Sequence, residues 1–385
     1  MAAVAGPQTP RTEGDRPASA GAVVPFRRAT TRRTAIIEQD AGTISTSTQN
    51  IQITVEGTGY MTAIILEITA TTATNSATVA YQADAPWCAF DSIVLSDNTG
   101  ETINLTGYDL FLLNKWGGWY THATLDSATS DTNIYSLTSG SGGTGGSFKF
   151  ILKVPVAVNN RNFLGLLGNQ DRALKYQLRD DIAASTSIYS TAPSNLPTFT
   201  INRYYESVTV PGGMNADGVA QERQPPKFGV QHFGTRIIAE SPPAGGSTVN
   251  HYLRRLNNTI RTLILVFRSN GSRATAETYM PTRITFLLGD MTIFTESTAL
   301  RRWYMRQRFG FDADAGVLVY DFINDLLGES GAEFGLDYLW TGGIVNAQFQ
   351  ITYPSGFGST ANSLVILTSD LIVPDTINLY APDGA

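Results

Sequence analysis

The chain has 385 residues, a formal net charge of −6 and a charged fraction of 16%, below the roughly one quarter that is usual for soluble domains. Thr, Ser, Asn and Gly replace the missing charged residues, and this composition favours strands and turns over long helices. The acidic balance argues against a dedicated nucleic-acid-binding protein. The single cysteine, Cys88, excludes an intrachain disulfide framework and a cysteine-rich metal site. Its apolar neighbours predict a buried, unreactive thiol.

The sequence has neither the pattern of a signal peptide nor a run long enough to span a bilayer. The first 35 residues contain no apolar h-region, and the best apolar run, Leu263 to Phe267, has the length of a strand. We therefore expect a soluble protein that is made inside a cell.

Residues 1–40 are predicted to form a basic N-terminal arm. Its first 35 residues contain six arginines against Glu13 and Asp15, a net charge of +4 on an acidic protein. The arm is either a disordered tail or a contact segment that binds acidic neighbours, lipid head groups or genome phosphates. The residues that carry the contact hypothesis are Arg27, Arg28, Arg32 and Arg33, which follow the apolar Val23, Val24 and Phe26.

Residues 41–210 read as the first globular unit. Strand patterns begin near Ile44, and one helix is predicted after Thr106, whose side chain can cap it, with Gly117 at its end. A glycine-rich loop then leads into the strong strand Phe148–Val156. This loop precedes a strand and lacks the Lys-Ser/Thr ending of a phosphate-binding loop, so we interpret it as a connection only.

A polar segment rich in Gly and Pro, residues 211–226, is the best candidate for a domain linker. Residues 227–385 then repeat the plan of the first unit. The strongest strand of the chain is Thr259–Arg268, a helix is predicted to begin near Ser297 or Thr298, and three further strand patterns follow.

The two units share an order of parts: strands, a capped helix, a strong strand, a short Leu-Gly element and two final strands. Two similar all-β units of this size predict two fused eight-stranded jelly-roll β-sandwiches, each with a short helix insertion, in addition to the N-terminal arm.

In the order of its predicted elements, the chain resembles the double jelly-roll major capsid proteins of tectivirus-like tailless icosahedral viruses with an internal membrane. The resemblance covers about residues 40–375 as an order of elements, and the aromatic-rich Phe-Pro-Phe pattern of many relatives is missing. The stretches that carry it are Leu253-Arg254-Arg255-Leu256 before Leu263–Phe267, Trp303–Phe309 before Gly316–Tyr320, and Val154-Pro155-Val156 before Leu164–Leu167 and Leu174–Leu178.

The resemblance implies a structural, non-enzymatic subunit of a virion shell, made in the host cytoplasm. Such subunits form pseudo-hexagonal homotrimeric capsomers, which contact neighbouring capsomers and penton and minor capsid proteins. It also implies internal membrane lipids as a partner of the basic arm, and no specific nucleic acid. The alternative is a carbohydrate-binding protein or glycan-processing enzyme with two jelly rolls.

A search for chemistry in the sequence predicts no catalytic residue, metal site or cofactor. His122, His232 and His251 are far apart and form no His-x-His pattern, and we expect each of them at the surface or at an interface. The acidic pairs Asp180-Asp181 and Asp312-x-Asp314 could bind a cation, but we interpret them as turn residues beside strands.

The densest positive cluster lies on the predicted second helix. Its helical spacing predicts that Trp303 and Tyr304 face the core while the arginines face outward, although interleaved aromatic residues could also stack on nucleic-acid bases. We favour an interface helix that pairs with acidic neighbours, with Arg301, Arg302, Arg306 and Arg308 as its contact residues.

Overall fold

The computed structural model describes residues 23–374, apart from 57, 73–74, 76–77, 98–99, 120–131, 141–142, 159–162, 166, 169–174, 240–245, 270–271, 275–278, 311–313, 324–337, 356 and 358–361. In this part of the chain, strands far outnumber helices. No helix within it combines the length and the apolar character needed to cross a membrane.

The first half of the chain folds into strands with short helical insertions. Its elements are α1 (Phe26–Ala29), β1 (Arg32–Thr43), β2 (Gln52–Val55), β3 (Tyr60–Thr71), β4 (Ala80–Tyr81), a 3₁₀ turn (Trp87–Ala89), β5 (Phe90–Ser96), β6 (Glu101–Leu105), α2 (Gly107–Trp116), β7 (Ser136–Leu137), β8 (Phe148–Pro155), β9 (Leu167–Gly168), β10 (Tyr176–Ile182), α3 (Ser185–Ile188), β11 (Tyr189–Thr191) and β12 (Thr198–Val208).

The eight main strands of this half form two antiparallel sheets. One has the order β1-β12-β3-β8 and the other the order β2-β10-β5-β6. Counted along the chain, the first and last main strands are therefore neighbours in one sheet, and the second and second-last are neighbours in the other. This is the strand order of a jelly roll. We call this sandwich the first roll.

The second half repeats the arrangement. Its elements are β13 (Gln231–Ala239), β14 (Thr248–Tyr252), β15 (Thr259–Ser269), β16 (Ser272–Arg273), β17 (Arg283–Leu288), β18 (Met291–Glu296), α4 (Thr298–Phe309), β19 (Val317–Asp321), β20 (Leu339–Trp340), β21 (Ala347–Thr352) and β22 (Ser363–Ile372). The sheets have the orders β13-β22-β15-β19 and β14-β21-β17-β18, which match the first roll strand for strand. We call this sandwich the second roll.

One parallel strand contact fuses the two rolls into a continuous ten-stranded sheet. Strand β6 of the first roll lies beside β13 of the second, with Ile103 opposite Gly234 and Asn104 opposite Thr235. A Cβ on Gly234 would lie 3.0 Å from Cδ1 of Ile103 and 3.4 Å from Cδ1 of Leu105. A glycine at this position therefore lets the two rolls approach closely.

Both predicted helices begin at the expected residues, because each has a side-chain cap. The Thr106 hydroxyl accepts a hydrogen bond from the backbone N–H of Asp109 at 3.3 Å, and the Ser297 hydroxyl accepts one from Leu300 at 3.2 Å. Gly310 ends α4 in the left-handed conformation. The all-β fold with two jelly rolls, each with a helix inserted at the same place, is confirmed.

A buried ion pair joins the two sheets of the first roll. Arg203 of β12 is fully buried, and its guanidinium donates to both carboxylate oxygens of Asp180 of β10, at 2.6 and 2.8 Å. Its third contact is Asp40, at 2.6 Å. Asp180 and Asp181 therefore lie within a strand, and their prediction as turn residues is wrong. The buried charge of Asp180 interrupts the alternation of apolar and polar residues in β10. The sequence pattern therefore does not identify this position as part of a strand.

Removal of the Arg203 charge is expected to destabilise the protein strongly, since Asp180 would stay buried without its partner. We expect Arg203→Met to lower the free energy of unfolding by about 3–5 kcal/mol, measured by urea denaturation. The control is Arg179→Met, because the exposed Arg179 pairs with Asp181 at 3.2 Å and should contribute less than about 1 kcal/mol. Equal stability of the two variants would contradict the role of the buried pair.

Candidate functional site

The two inserted helices occupy equivalent places, but only one of them is covered. Every residue of α2 is buried, whereas α4 buries only Thr298 and Met305. In both helices one inward side chain accepts a hydrogen bond from the strand that follows: Lys153 N–H donates to Asn114 Oδ1 at 2.7 Å, and Val319 N–H donates to Met305 Sδ at 3.5 Å. The exposed side of α4 is therefore the main candidate for a functional surface.

This exposed side is apolar and aromatic. Leu300, Trp303 and Tyr304 are 41%, 54% and 45% exposed, and the two rings stand edge to face with centroids 5.2 Å apart. The prediction that Trp303 and Tyr304 face the core is wrong. Arg301 and Met305, four residues apart, form the side that contacts β19, which puts Trp303 on the opposite side of the helix and Tyr304 at its flank.

The structure holds two of the four arginines of α4 against their own roll. Arg301 donates to the Val319 carbonyl at 2.6 Å, and its guanidinium lies over the Tyr320 ring at 4.4 Å. Arg308 pairs with Asp321 at 2.8 Å. Arg302 is half-buried and Arg306 is exposed. A contact between these arginines and acidic neighbours stays a prediction, and the exposed Leu300, Trp303 and Tyr304 share the outward surface with them.

Two sheet edges, one in each roll, are also open among the described residues. Among the described residues, β1 pairs only with β12, and β18 pairs only with β17. Both edges carry exposed apolar side chains: Ile36 of β1 is 64% exposed, and Met291 and Ile293 of β18 are 60% and 37% exposed. Open edges with exposed apolar residues are typical of strands that pair with another chain.

The four arginines that carry the contact hypothesis, Arg27, Arg28, Arg32 and Arg33, are all exposed. Arg27 and Arg28 lie in α1, whereas Arg32 and Arg33 begin β1, where they face Val208 and Ser207 across the sheet. Of the predicted arm, residues 32–40 thus belong to the first sheet. Residues 1–22 lie outside the described part of the chain.

The apolar part of the arm is anchored in the protein. Phe26 is fully buried and packs edge to face on Tyr60 and Phe163, each with ring centroids 5.6 Å away. Its N–H donates to the Glu222 carboxylate at 3.0 Å, and Val24 pairs with Gln221 of the predicted linker. The side chain of Phe26 is therefore not available for insertion into a bilayer.

The two described histidines are buried, so their predicted place at the surface or an interface is wrong. His232 contacts the Pro155 carbonyl at 3.1 Å and the Ser369 hydroxyl at 2.9 Å, and burial lowers its pKa to about 3. His251 contacts the Tyr353 hydroxyl at 2.8 Å, and burial lowers its pKa to about 4. Both rings are neutral hydrogen-bonding groups of the core. His122 lies outside the described residues.

The other residues considered for catalysis or metal binding show no sign of such a role where the structure describes them. Asp314 pairs with Lys115 at 3.2 Å, while Asp312 lies outside the described residues. Burial raises the pKa of the Cys88 thiol to about 12, which leaves it a poor nucleophile. Within the described ranges, no three metal-ligating side chains come together.

Ion pairs between the rolls were not predicted from the sequence. Asp109 of α2 contacts Arg236 of β13 at 2.8 Å, and Asp84 contacts Arg268 and Arg273 of the second roll at 2.7 and 2.9 Å. These partners are more than a hundred residues apart in the chain, and no local pattern marks them. They fix the two rolls side by side.

No family model matches the chain, and no curated protein matches it. Its fold is similar to that of solved capsid structures. The MCP of STIV (Sulfolobus Turreted Icosahedral Virus) has a TM-score of 0.61 at 13% identity, over 91% of this chain and 100% of that one. The PBCV-1 virus capsid gives 0.58 at 13% identity, over 89% and 93%.

The major capsid protein P2 of bacteriophage PM2 has a TM-score of 0.51 at 10% identity, over 90% of this chain and 99% of that one. At such identities the likeness shows the fold alone. It extends over both rolls and over nearly the whole length of each neighbour. The chain therefore has the double jelly-roll fold that these capsid proteins share.

Proposed function

We propose that this protein is a major capsid protein, the structural subunit of an icosahedral virion shell. The observation that carries the proposal is the pair of matching rolls, held side by side by the β6–β13 contact and by ion pairs. The solved structures with this fold are described as capsid proteins of three different viruses. The virus type we propose is a tectivirus-like bacteriophage with an internal membrane.

We propose a homotrimer, which the repeated roll supports. Three chains would supply six rolls of the same strand order, so a closed ring of three has a nearly hexagonal outline that can tile a shell. The exposed α4 side and the open edges of β1 and β18 would then lie between chains. We propose neighbouring capsomers, penton proteins and minor capsid proteins as the further partners.

The structural role also favours a protein without catalysis. The described residues that could have served an enzyme are used in the core or in ion pairs: His232, His251 and Asp180 are buried with partners inside the rolls. A glycan-processing enzyme would need such groups at an open cleft.

The mass of the purified protein in solution tests the capsomer proposal. Three chains of 41.6 kDa should give a particle of about 125 kDa by light scattering, and this mass should persist on dilution. A monomer of about one third of that mass that binds glycans on an array would instead support the carbohydrate-binding alternative.

We further propose that the basic arm meets anionic lipid head groups on the inner face of the shell. Arg27, Arg28, Arg32 and Arg33 are exposed within a span of seven residues. Because Phe26 is anchored in the protein, the attraction would be electrostatic and not an insertion of apolar side chains.

Flotation with vesicles tests this lipid contact. The variant with all four arginines replaced by Gln should lose binding to phosphatidylserine-containing vesicles, and the unaltered protein should release them as salt is raised. The matched control replaces the exposed Lys175, Arg179, Arg254 and Arg283 by Gln and should keep binding. Equal binding by the two variants would overturn the proposed role of the arm.

A further inference from the structure

The contact between the two rolls is built around one strand and one helix of the first roll, β6 and the α2 that follows it, with the Asp84 ion pairs beside them. On the side of the second roll it consists mainly of β13, the first strand of that roll. Asp109 of α2 pairs with Arg236 of β13 at 2.8 Å, and Cδ1 of Leu113 lies 3.7 Å from the place of a Cβ on Gly234.

Each element of this contact has a counterpart in the other roll. Thr106 and Ser297 are the N-cap residues of α2 and α4, so we treat them as equivalent positions. With this equivalence, the register shift between β5 and β6 also coincides with the register shift between β17 and β18. Strand β18 is thus the counterpart of β6, and α4 is the counterpart of α2. The alignment makes Leu300 equivalent to Asp109, Tyr304 to Leu113, and the inward Met305 to the inward Asn114.

The counterpart of β13 is β1. Each is the first strand of its roll and pairs antiparallel with the last strand, with Arg32 opposite Val208 and Gln231 opposite Ile372. In the described residues, the outer edge of β13 is filled by β6, whereas β1 has no second neighbour. The second roll thus has an uncovered strand and helix, and the first roll has the open edge that would cover them.

We propose that β18 of one chain pairs in parallel with β1 of a second copy of the chain, whose first roll covers α4. This contact would repeat between chains the β6–β13 contact within the chain. The inference rests on the proposed trimer and names the surface that closes it. Three repeats of the contact would join six rolls in one ring, with the internal and external joints alternating.

Matching the first ladder pair of β1 with that of β13 also gives a register for the proposed joint. Within the chain Ile103 lies opposite Gly234 and Asn104 opposite Thr235. By the two equivalences, Phe294 would lie opposite Ala35 of the next chain, and Thr295 opposite its Ile36. Thr295 and Ile36 are both exposed, so their side chains are accessible for such a contact.

The exposed apolar residues fit this joint. Leu300 takes the place of Asp109, and the region of Ile36 and Ile37 takes the place of Arg236. An ion pair within the chain would therefore be replaced by an apolar contact between chains. Leu300 at 41% and Ile36 at 64% exposure would be covered, and the burial of such side chains favours association.

A cysteine cross-link tests the proposed register. In a Cys88→Ala background, Ile36→Cys and Thr295→Cys are combined, and the purified protein is oxidised with copper phenanthroline. Partner residues in adjacent strands are close enough for a disulfide, so we expect covalent dimers and trimers on a non-reducing gel. Each single variant should give no covalent trimer. The control pair joins Ile36→Cys with Tyr252→Cys, on β14 at the opposite edge of the β18 sheet, and should not cross-link.

The outcomes separate this inference from the capsomer proposal. A trimer by light scattering that fails to cross-link at these positions would overturn the β18–β1 joint and leave the capsomer in place. A monomer would overturn both. If the double variant does not fold, the Leu300→Asp variant provides the test. Its trimer should dissociate at a concentration about tenfold or more higher than that of the unaltered protein. Val345→Asp, at a residue 93% exposed, should leave it unchanged, and equal effects would overturn the joint.

Discussion

The parallel pairing of β6 with β13 is the contact on which the rest of the architecture depends. It turns two sandwiches into one body with a continuous sheet, and the helix beside it, α2, is completely buried. A glycine at position 234 permits the close approach, and the Asp109–Arg236 and Asp84–Arg268 pairs hold it in register. Buried or half-buried charge pairs of this kind specify one arrangement more than they add stability.

The surface around α4, which we propose as the equivalent contact between chains, differs in chemistry from the contact around α2. The covered face of α2 presents Asp109 to the second roll, whereas the corresponding face of α4 presents Leu300 and Tyr304 to the outside. A permanent contact within one chain can use charge pairs, because its partners are always near each other. A contact that must draw separate chains together gains more from apolar surface.

Much of the fold could be predicted from the sequence, because its signals are local. The caps Thr106 and Ser297 mark the helices, and alternating apolar residues mark strands such as β8. The orientation of Trp303 and Tyr304 could not be predicted, since the sequence does not show that α4 rests on its roll through Arg301 and Met305. The Arg203–Asp180 pair and the buried His232 depend on partners in other strands, which no local pattern identifies.

Hydrogen–deuterium exchange of the assembled protein tests the central claim most directly, because the backbone N–H groups of an edge strand exchange slowly only when a second strand covers them. If the second roll is covered by the next chain as the first roll is covered within the chain, β18 and α4 should be protected in the assembly. Their protection should fall in the Leu300→Asp variant at a concentration where that variant is monomeric. The other edge strand of the same sheet, β14, should exchange fast in both states. Equally fast exchange of β18 and β14 in an assembled trimer would contradict the claim.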